Sequence, residues 1–315
     1  MSSLIQTPEL VGRLLENIGR ALLGKEPVIR TALVGLFADG HILIEDVPGV
    51  GKTLLAKALA RSIGGIFRRI QFTPDLLPSD ILGTNVWNAQ KGDFLFKPGP
   101  IFANVILADE INRTTPRTQS ALLEAMNDRQ VSIDGVTYDL PRPFFVLATQ
   151  NPFEYEGTYP LPESQLDRFM MRIRVGYPPR DYEVQMLQEH REGDLIDRVE
   201  ELLKPEEVLE LQKRVRQINV HQDLVAYLMD IVEATRRSEQ LSVGASPRAA
   251  LNLYRAAQAS AFVHGRDYVV PDDIKDLAVP VLAHRVIAAS QLYGAGSRLA
   301  EEIIRDIVDS VPVPE

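Results

Sequence analysis

The stretch His41 to Ala60, HILIEDVPGVGKTLLAKALA, restricts what this chain can fold into more than any other. Ile42, Leu43 and Ile44 form an apolar run bounded by polar and turn residues, long enough for a buried strand and too short for a helix. Gly49-Val50-Gly51-Lys52-Thr53 follows, and then an apolar pattern of helical spacing from Thr53 to Ile63. Glycines let successive backbone N–H groups turn onto phosphate oxygens. A lysine there reaches the β- and γ-phosphates, and a threonine hydroxyl at the helix start can ligate Mg²⁺ where the helix dipole favours anions. Asp46, Val47, Pro48, Gly49, Val50, Gly51, Lys52, Thr53 and Leu54 therefore make a candidate phosphate loop. The general pattern G-x-x-x-x-G-K-S/T is incomplete, because Asp46 stands where its first glycine is expected. The plain alternative, a chance glycine turn before an ordinary helix, is the weaker reading even of these residues alone.

They do not stand alone. Gly64-Gly65 closes the helix and Ile66 to Phe72 reads as the next strand, so strand, helix and strand imply a parallel, helix-covered sheet. Val105-Ile106-Leu107-Ala108-Asp109-Glu110 is an apolar strand ending in two carboxylates. Ligands of open α/β sheets bind at the carboxyl ends of strands, so these acids belong on the edge that carries the phosphate loop. Asp109 would hold Mg²⁺, directly or through water, and Glu110 would orient and polarise an attacking water. Phe144 to Thr149 is another buried strand, running into Gln150-Asn151-Pro152. Asn151 there reads either as a hydrogen-bonding partner of that water or the γ-phosphate, or as an Asx turn before proline.

The remaining landmarks lie around this core. Leu10, Leu14, Leu15, Ile18 and Leu22, then Val28, Ala32, Leu33 and Leu36, predict two helices broken at Gly24; most of these side chains read as core packing, with backbone near Gly24-Lys25 able to border an adenine pocket. Leu76 to Gly83 reads as a short helical piece. Val86 to Phe96 reads as an inserted hairpin whose Trp87, Phe94 and Phe96 form either a buried cluster or a partner-facing loop. A helix from Thr114 to Asp128 leads into a second hairpin, Val131 to Leu140, turning at Asp134-Gly135. Arg168 in ESQLDRF is compatible with a surface ion pair to Asp167. The strand Met171 to Val175 follows, and Tyr177-Pro178-Pro179 marks a boundary between residues 1–178 and 179–315. Beyond it the pattern is nearly all helix, at 181–190, 205–217, 222–238, 247–263 and 272–287. Ser246-Pro247-Arg248 is a helix start whose arginine opposes the dipole and hints at an anion nearby.

Composition excludes several chemistries. With no cysteine, thiol catalysis, disulfides and Cys-ligated zinc are ruled out. The five histidines (His41, His190, His221, His264, His284) show no metal-binding spacing. A net charge of −9 argues against general binding to nucleic acid or anionic membrane. No leader pattern and no run of about 18 apolar residues is found, so a cytoplasmic location is expected.

Taken together, DVPGVGKT, VILADE, ATQN, ESQLDRF and GASPRA resemble the AAA+ ATPases, specifically the MoxR family. LLEAMNDRQV and FVLATQNPFEYEGTYPLPESQLDRFMM are especially similar, and the resemblance spans essentially the whole chain. Members of that family often lack the first glycine that Asp46 replaces. The resemblance implies an αβα three-layer core with a parallel sheet and hairpin inserts, followed by an all-helical lid. It makes Lys52 and Thr53 the phosphate and Mg²⁺ contacts, with Asp109 on the Mg²⁺ side and Glu110 the catalytic base. It makes Asn151 sensor 1, Arg168 an arginine finger supplied by a neighbouring subunit, and Arg248 sensor 2. It further implies Mg²⁺-dependent ATP hydrolysis in a homo-oligomeric, hexameric ring that remodels or matures protein clients, among them ones with von Willebrand factor A domains.

Two other functions fit the same residues: the motor subunit of a magnesium chelatase-like metal-insertion complex, and a nucleotide-gated binding switch with little turnover. The set Glu110, Asn151 and Arg168 speaks against the switch. GTP is disfavoured because no Asn-Lys-x-Asp stretch is present to read guanine.

Overall fold

The computed structural model describes residues 7–152, 157–189, 194–290 and 296–314. Two amphipathic helices open the chain, α1 (Thr7–Gly19) and α2 (Glu26–Phe37), and β1 (Ile42–Glu45) follows, buried on both faces. Helix α3 (Lys52–Ser62) covers the sheet with Leu55, Ala56, Ala58 and Leu59. After β2 (Phe67–Gln71) come the short α4 (Pro78–Leu82) and a hairpin of β3 (Gly83–Asn88) and β4 (Asp93–Pro98). β5 (Val105–Asp109) leads through a single 3₁₀ turn to α5 (Pro116–Asp128), whose N-terminal proline has fixed φ and no N–H to leave orphaned. A second hairpin pairs β6 (Gln130–Ile133) with β7 (Val136–Asp139), and β8 (Phe145–Gln150) re-enters the sheet.

The sheet is completed beyond the short α6 (Glu163–Leu166) by β9 (Met171–Ile173). Its order is β2-β5-β8-β1-β9 and all four pairings are parallel. Near-continuous Val/Ile/Leu runs in β1, β5 and β8 are what a strand covered by helices on both faces requires. Because the strands are parallel, the ends at Glu45, Asp109 and Gln150 lie on one edge.

The C-terminal part is mostly helical: α7 (Arg180–Glu189), α8 (Pro205–Val215), α9 (Gln222–Arg237), α10 (Pro247–Val263), α11 (Pro271–Leu282) and α12 (Gly296–Ser310). Between them β10 (Leu241–Val243) pairs antiparallel with β11 (Ile287–Ala288). The expected helix over 272–287 thus ends at Leu282. His284 and Arg285 turn inward there and hydrogen-bond to backbone carbonyls near β9, a use of backbone acceptors that periodicity does not show. β10, β11 and α12 had no counterpart in the pattern reading. One apolar core runs from α1–α3 into α8–α12, and a second lies between the sheet and α5.

Both hairpins form where expected, and the turn of the second is joined to β3 of the first by Asn85 Nδ2 donating to Asp134 Oδ2 at 2.7 Å. The three aromatics divide between the two readings. Phe96 stacks on Tyr138 with centroids 4.1 Å apart, while Trp87 (55% exposed) and Phe94 (64% exposed) pack edge-on against each other at the surface. His190 and residues 153–156, which carry part of the family-like phrase, lie outside the described residues. Among the described residues no helix is long and apolar enough to cross a membrane.

Candidate active site

The loop between β1 and α3 turns on two glycines with left-handed backbone, Gly49 at φ +85 and Gly51 at φ +98, a region costly for residues carrying a Cβ. Gly51 is the N-cap of α3, so that helix directs its first N–H groups and the positive end of its dipole to the loop. Lys52 Nζ donates to the Asp46 carbonyl at 2.9 Å, folding the ammonium over the loop. A cleft of about 360 Å³ opens here between Pro48, Gly49, Lys52 and Thr53 on one side and Asp109, Glu110 and Asn151 on the other. Strand ends separated in sequence by the hairpins and α5 therefore meet where the sheet topology requires.

The acids are held by residues that the sequence reading did not single out. Thr149, fully buried, donates from Oγ1 to Asp109 Oδ1 at 2.7 Å and accepts from the Glu110 N–H at 2.9 Å. Arg69 on β2 lines the cleft and donates from Nε to Asp109 Oδ2 at 3.0 Å. Gln71, two residues along the same strand, donates to Glu110 Oε2 at 2.8 Å, and Arg113 Nη1 reaches the same oxygen at 3.0 Å. Glu110 itself sits at φ +57, an unfavourable conformation for a residue with a side chain, and this turns its carboxylate out of the strand line toward the cleft. The available signal was the alternation in β2, which places 69 and 71 on one face of the strand beside β5.

Asp46 explains its departure from the general pattern. Its Oδ2 accepts from the N–H groups of Val175 and Gly176 at 2.7 and 2.6 Å, and Oδ1 from Val47 N–H at 2.8 Å. The carboxylate thus ties the loop to the segment leaving β9, and Asp46 does not line the cleft beside Lys52. Lys25 Nζ donates to the Val175 carbonyl at 2.8 Å on the other side of that segment. Burial holds the Lys25 ammonium below its ordinary pKa, opposed by the charges of Asp46 and Glu183. Val47 packs against the larger core.

A second, apolar cleft of about 440 Å³ shares Gly49, Gly51 and Leu54 with the first. Leu22, Lys25, Val50, Tyr177 and Met186 also line it, which places the region near Gly24-Lys25 beside the loop. Gly24, at φ +70, lies so close to α7 that a Cβ there would sit 2.4 Å from the Tyr182 ring.

Arg168 and Arg248 are elsewhere. They share a cleft of about 280 Å³ with Asp39, Arg129, Asp167 and Arg255, and none of its residues lines the cleft beside Lys52. Arg168 Nη1 donates to the Leu123 carbonyl at 2.7 Å. Asp167 turns instead to Arg285, accepting from its Nε at 2.8 Å, with Arg248 Nη1 at 3.8 Å. Arg248 is the second residue of α10, whose N-cap Ser246 accepts from Ala249 N–H at 3.1 Å. Arg285 is almost wholly buried, and burial lowers its pKa to about 10 against the opposing effect of Asp167, so it stays charged at neutral pH. His41 is also buried: its Nδ1 accepts from Val146 N–H and its Nε2 donates to the Met126 carbonyl, both at 3.1 Å, which fixes the neutral tautomer. Burial lowers its pKa to about 4.

Residues 41–171 match the ATPase family associated with various cellular activities (AAA), and residues 233–307 match the AAA lid domain. The chain is 48% identical to the uncharacterized protein YeaC of Bacillus subtilis over 97% of its own length and 95% of that protein's. It is 45% identical to Chaperone MoxR1 of Mycobacterium tuberculosis (94% and 79% covered) and 32% identical to Protein MoxR of Paracoccus denitrificans (93% of each). A putative ATPase from Cytophaga hutchinsonii of known structure superposes with a TM-score of 0.88 at 40% identity, over 98% of this chain and 96% of that one.

Proposed function

Since the chain belongs to the MoxR family of AAA+ ATPases, we propose that it hydrolyses ATP to ADP and phosphate and uses the energy to remodel or mature protein clients. The observation that carries this reading is the division of catalytic groups between two clefts. Phosphate-binding residues, paired acids and Asn151 converge on one, and Arg168 and Arg248 on another that shares no residue with it. Groups needed around one γ-phosphate but held on separate faces of a chain suit a ring in which one protomer's arginines complete the next protomer's site. We take that ring to be hexameric.

In this mechanism the apolar cleft beside Gly49 takes the adenine, and the loop N–H groups with Lys52 take the phosphates. Glu110 accepts the proton of the attacking water, which Asn151 aligns. Arg168 and Arg248 of the adjacent protomer stabilise charge on the transferring phosphoryl group. The residues present fit Mg²⁺. Thr53 and Asp109, on the lining of the cleft beside Lys52, offer the hard oxygen ligands it takes. Asp109, already engaged by Arg69 and Thr149, suits contact through water. When bound, the cation neutralises charge on the β- and γ-phosphates.

We further propose that residues 1–178 and 179–315 move relative to each other during turnover, and that the two linked hairpins, with Trp87 and Phe94 outward, meet the client. Von Willebrand factor A domains are the proposed client class and the cytoplasm the proposed location. Steady-state hydrolysis of Arg168→Ala tests the scheme. ATP affinity should stay within about twofold while turnover falls on the order of 10³-fold or more, the effect typical of removing an arginine finger. Turnover near wild type would refute the role of Arg168. A wild-type protein that binds ATP but does not hydrolyse it in any oligomeric state would favour the nucleotide-gated switch.

A further inference from the structure

The two arginines of the second cleft come from distant parts of the chain. Arg168 lies on the turn between α6 and β9, and Arg248 in the first turn of α10. Asp167 stands between them, and Arg285, just beyond α11, holds it. Arg285 uses every donor a guanidinium has. Nε donates to Asp167 Oδ1 at 2.8 Å, and Nη2 to the carbonyls of Asp167 (3.3 Å) and Phe169. Nη1 donates to the carbonyls of Met170 (3.0 Å) and Val281. Four of these five acceptors lie in residues 167–170, the segment that contains Arg168. With its side chain only 1% exposed and all donors engaged, Arg285 has nothing left to offer a nucleotide. What it can do is hold a turn of backbone against the lid. The free edge of the same carboxylate, Asp167 Oδ2, lies 3.8 Å from Arg248 Nη1.

We infer that Arg285 is a positioning residue: through Asp167 it fixes the 167–170 turn to the lid, so that Arg168 and Arg248 present one arrangement to the nucleotide of the neighbouring protomer. This rests on the reading that both arginines act across the subunit boundary. A planar fork meeting a carboxylate and three consecutive-turn carbonyls defines orientation as well as distance, which a lysine at this position could not reproduce.

The test uses mixtures of full-length variants. Lys52→Ala disables a protomer's own phosphate loop and leaves its arginines; Arg168→Ala does the reverse. Mixed rings should regain ATPase activity at sites where a Lys52→Ala protomer faces the Arg168→Ala loop. Adding Arg285→Met to the Lys52→Ala protomer should then reduce the regained turnover by about 10- to 100-fold, the scale of a misplacement near 1 Å. The same substitution added to the Arg168→Ala protomer should leave it unchanged. Asp167→Asn, nearly isosteric, should show the same dependence on placement and serves if the methionine variant does not fold; Arg285→Lys should recover only part. Equal loss in both placements, or no loss in either, overturns the inference. If unmodified Lys52→Ala fails to restore any activity, the cross-subunit reading fails, and the inference with it.

Discussion

Asp46→Gly would bring the phosphate loop into line with the general G-x-x-x-x-G-K-T pattern, and it should nonetheless weaken the protein. The carboxylate accepts three backbone N–H groups, and two of them, Val175 and Gly176, belong to the segment leaving the sheet. Val175 is buried, so its N–H would lose its partner without gaining water, at about 1–3 kcal/mol; the half-buried Gly176 N–H adds roughly 1 kcal/mol. Glycine's extra freedom in the unfolded chain adds about 0.5–1 kcal/mol. The sum is about 2.5–5 kcal/mol. Unfolding entropy near 2.1 cal/mol/K per residue gives roughly 0.66 kcal/mol/K for 315 residues, so a single cooperative transition should fall by about 4–8 °C. Differential scanning calorimetry measures this directly. Val175 also accepts from Lys25, which lines the apolar cleft, so ATP affinity measured by titration calorimetry should drop as well, by about tenfold. A variant as stable as wild type, with unchanged affinity, would refute the argument that Asp46 serves as a tether.

Further expectations follow from the same geometry. Glu110→Gln should retain ATP binding and lower turnover by about 10²- to 10⁴-fold, so that ATP remains trapped in single-turnover experiments; rapid hydrolysis would remove Glu110 as the base. His41 and His284 are both held neutral by burial, His41 with its pKa lowered to about 4 and His284 well below the ordinary value. Their folded values lie below the unfolded one near 6.5, so this stability is present above pH 6.5 and is lost as pH falls, when the unfolded chain takes up protons that the folded one refuses. His41 alone accounts for roughly 3 kcal/mol by pH 4, and a melting temperature that does not fall between pH 7 and 5 would contradict the assignment. Gly24→Ala should destabilise by about 1–3 kcal/mol, from its left-handed backbone and the Tyr182 ring, and should weaken nucleotide binding through displacement of α7; unchanged denaturant midpoint and affinity would count against both effects.

Much of this site was legible in the sequence because its chemistry depends on residues close together in the chain. Gly49-Val50-Gly51-Lys52-Thr53 points to a phosphate loop from local backbone requirements alone, and the glycine turn it predicts is formed; an apolar run ending in Asp109-Glu110 identifies a strand end on the edge of the sheet that carries this loop. Apolar runs too short for helices likewise determined the strands of the parallel sheet, and turn residues placed both hairpins. The tertiary structure decided what long-range pairing decides. Asp46, read from its position as part of the phosphate contact, spends its carboxylate on N–H groups at 175 and 176, about 130 residues away. Arg69, Gln71 and Thr149 take hold of the acids only because β2, β5 and β8 are neighbours in the sheet. Nothing in the local pattern distinguishes Arg285, buried among backbone carbonyls, from a surface arginine at the end of a helix. The sequence by itself determined the nature of the loop, the acids and the sheet, since propensity and periodicity act over a few residues. Which polar side chain satisfies which partner was left to the tertiary structure, because a buried hydrogen bond has a definite direction and its acceptor lies wherever the fold brings it.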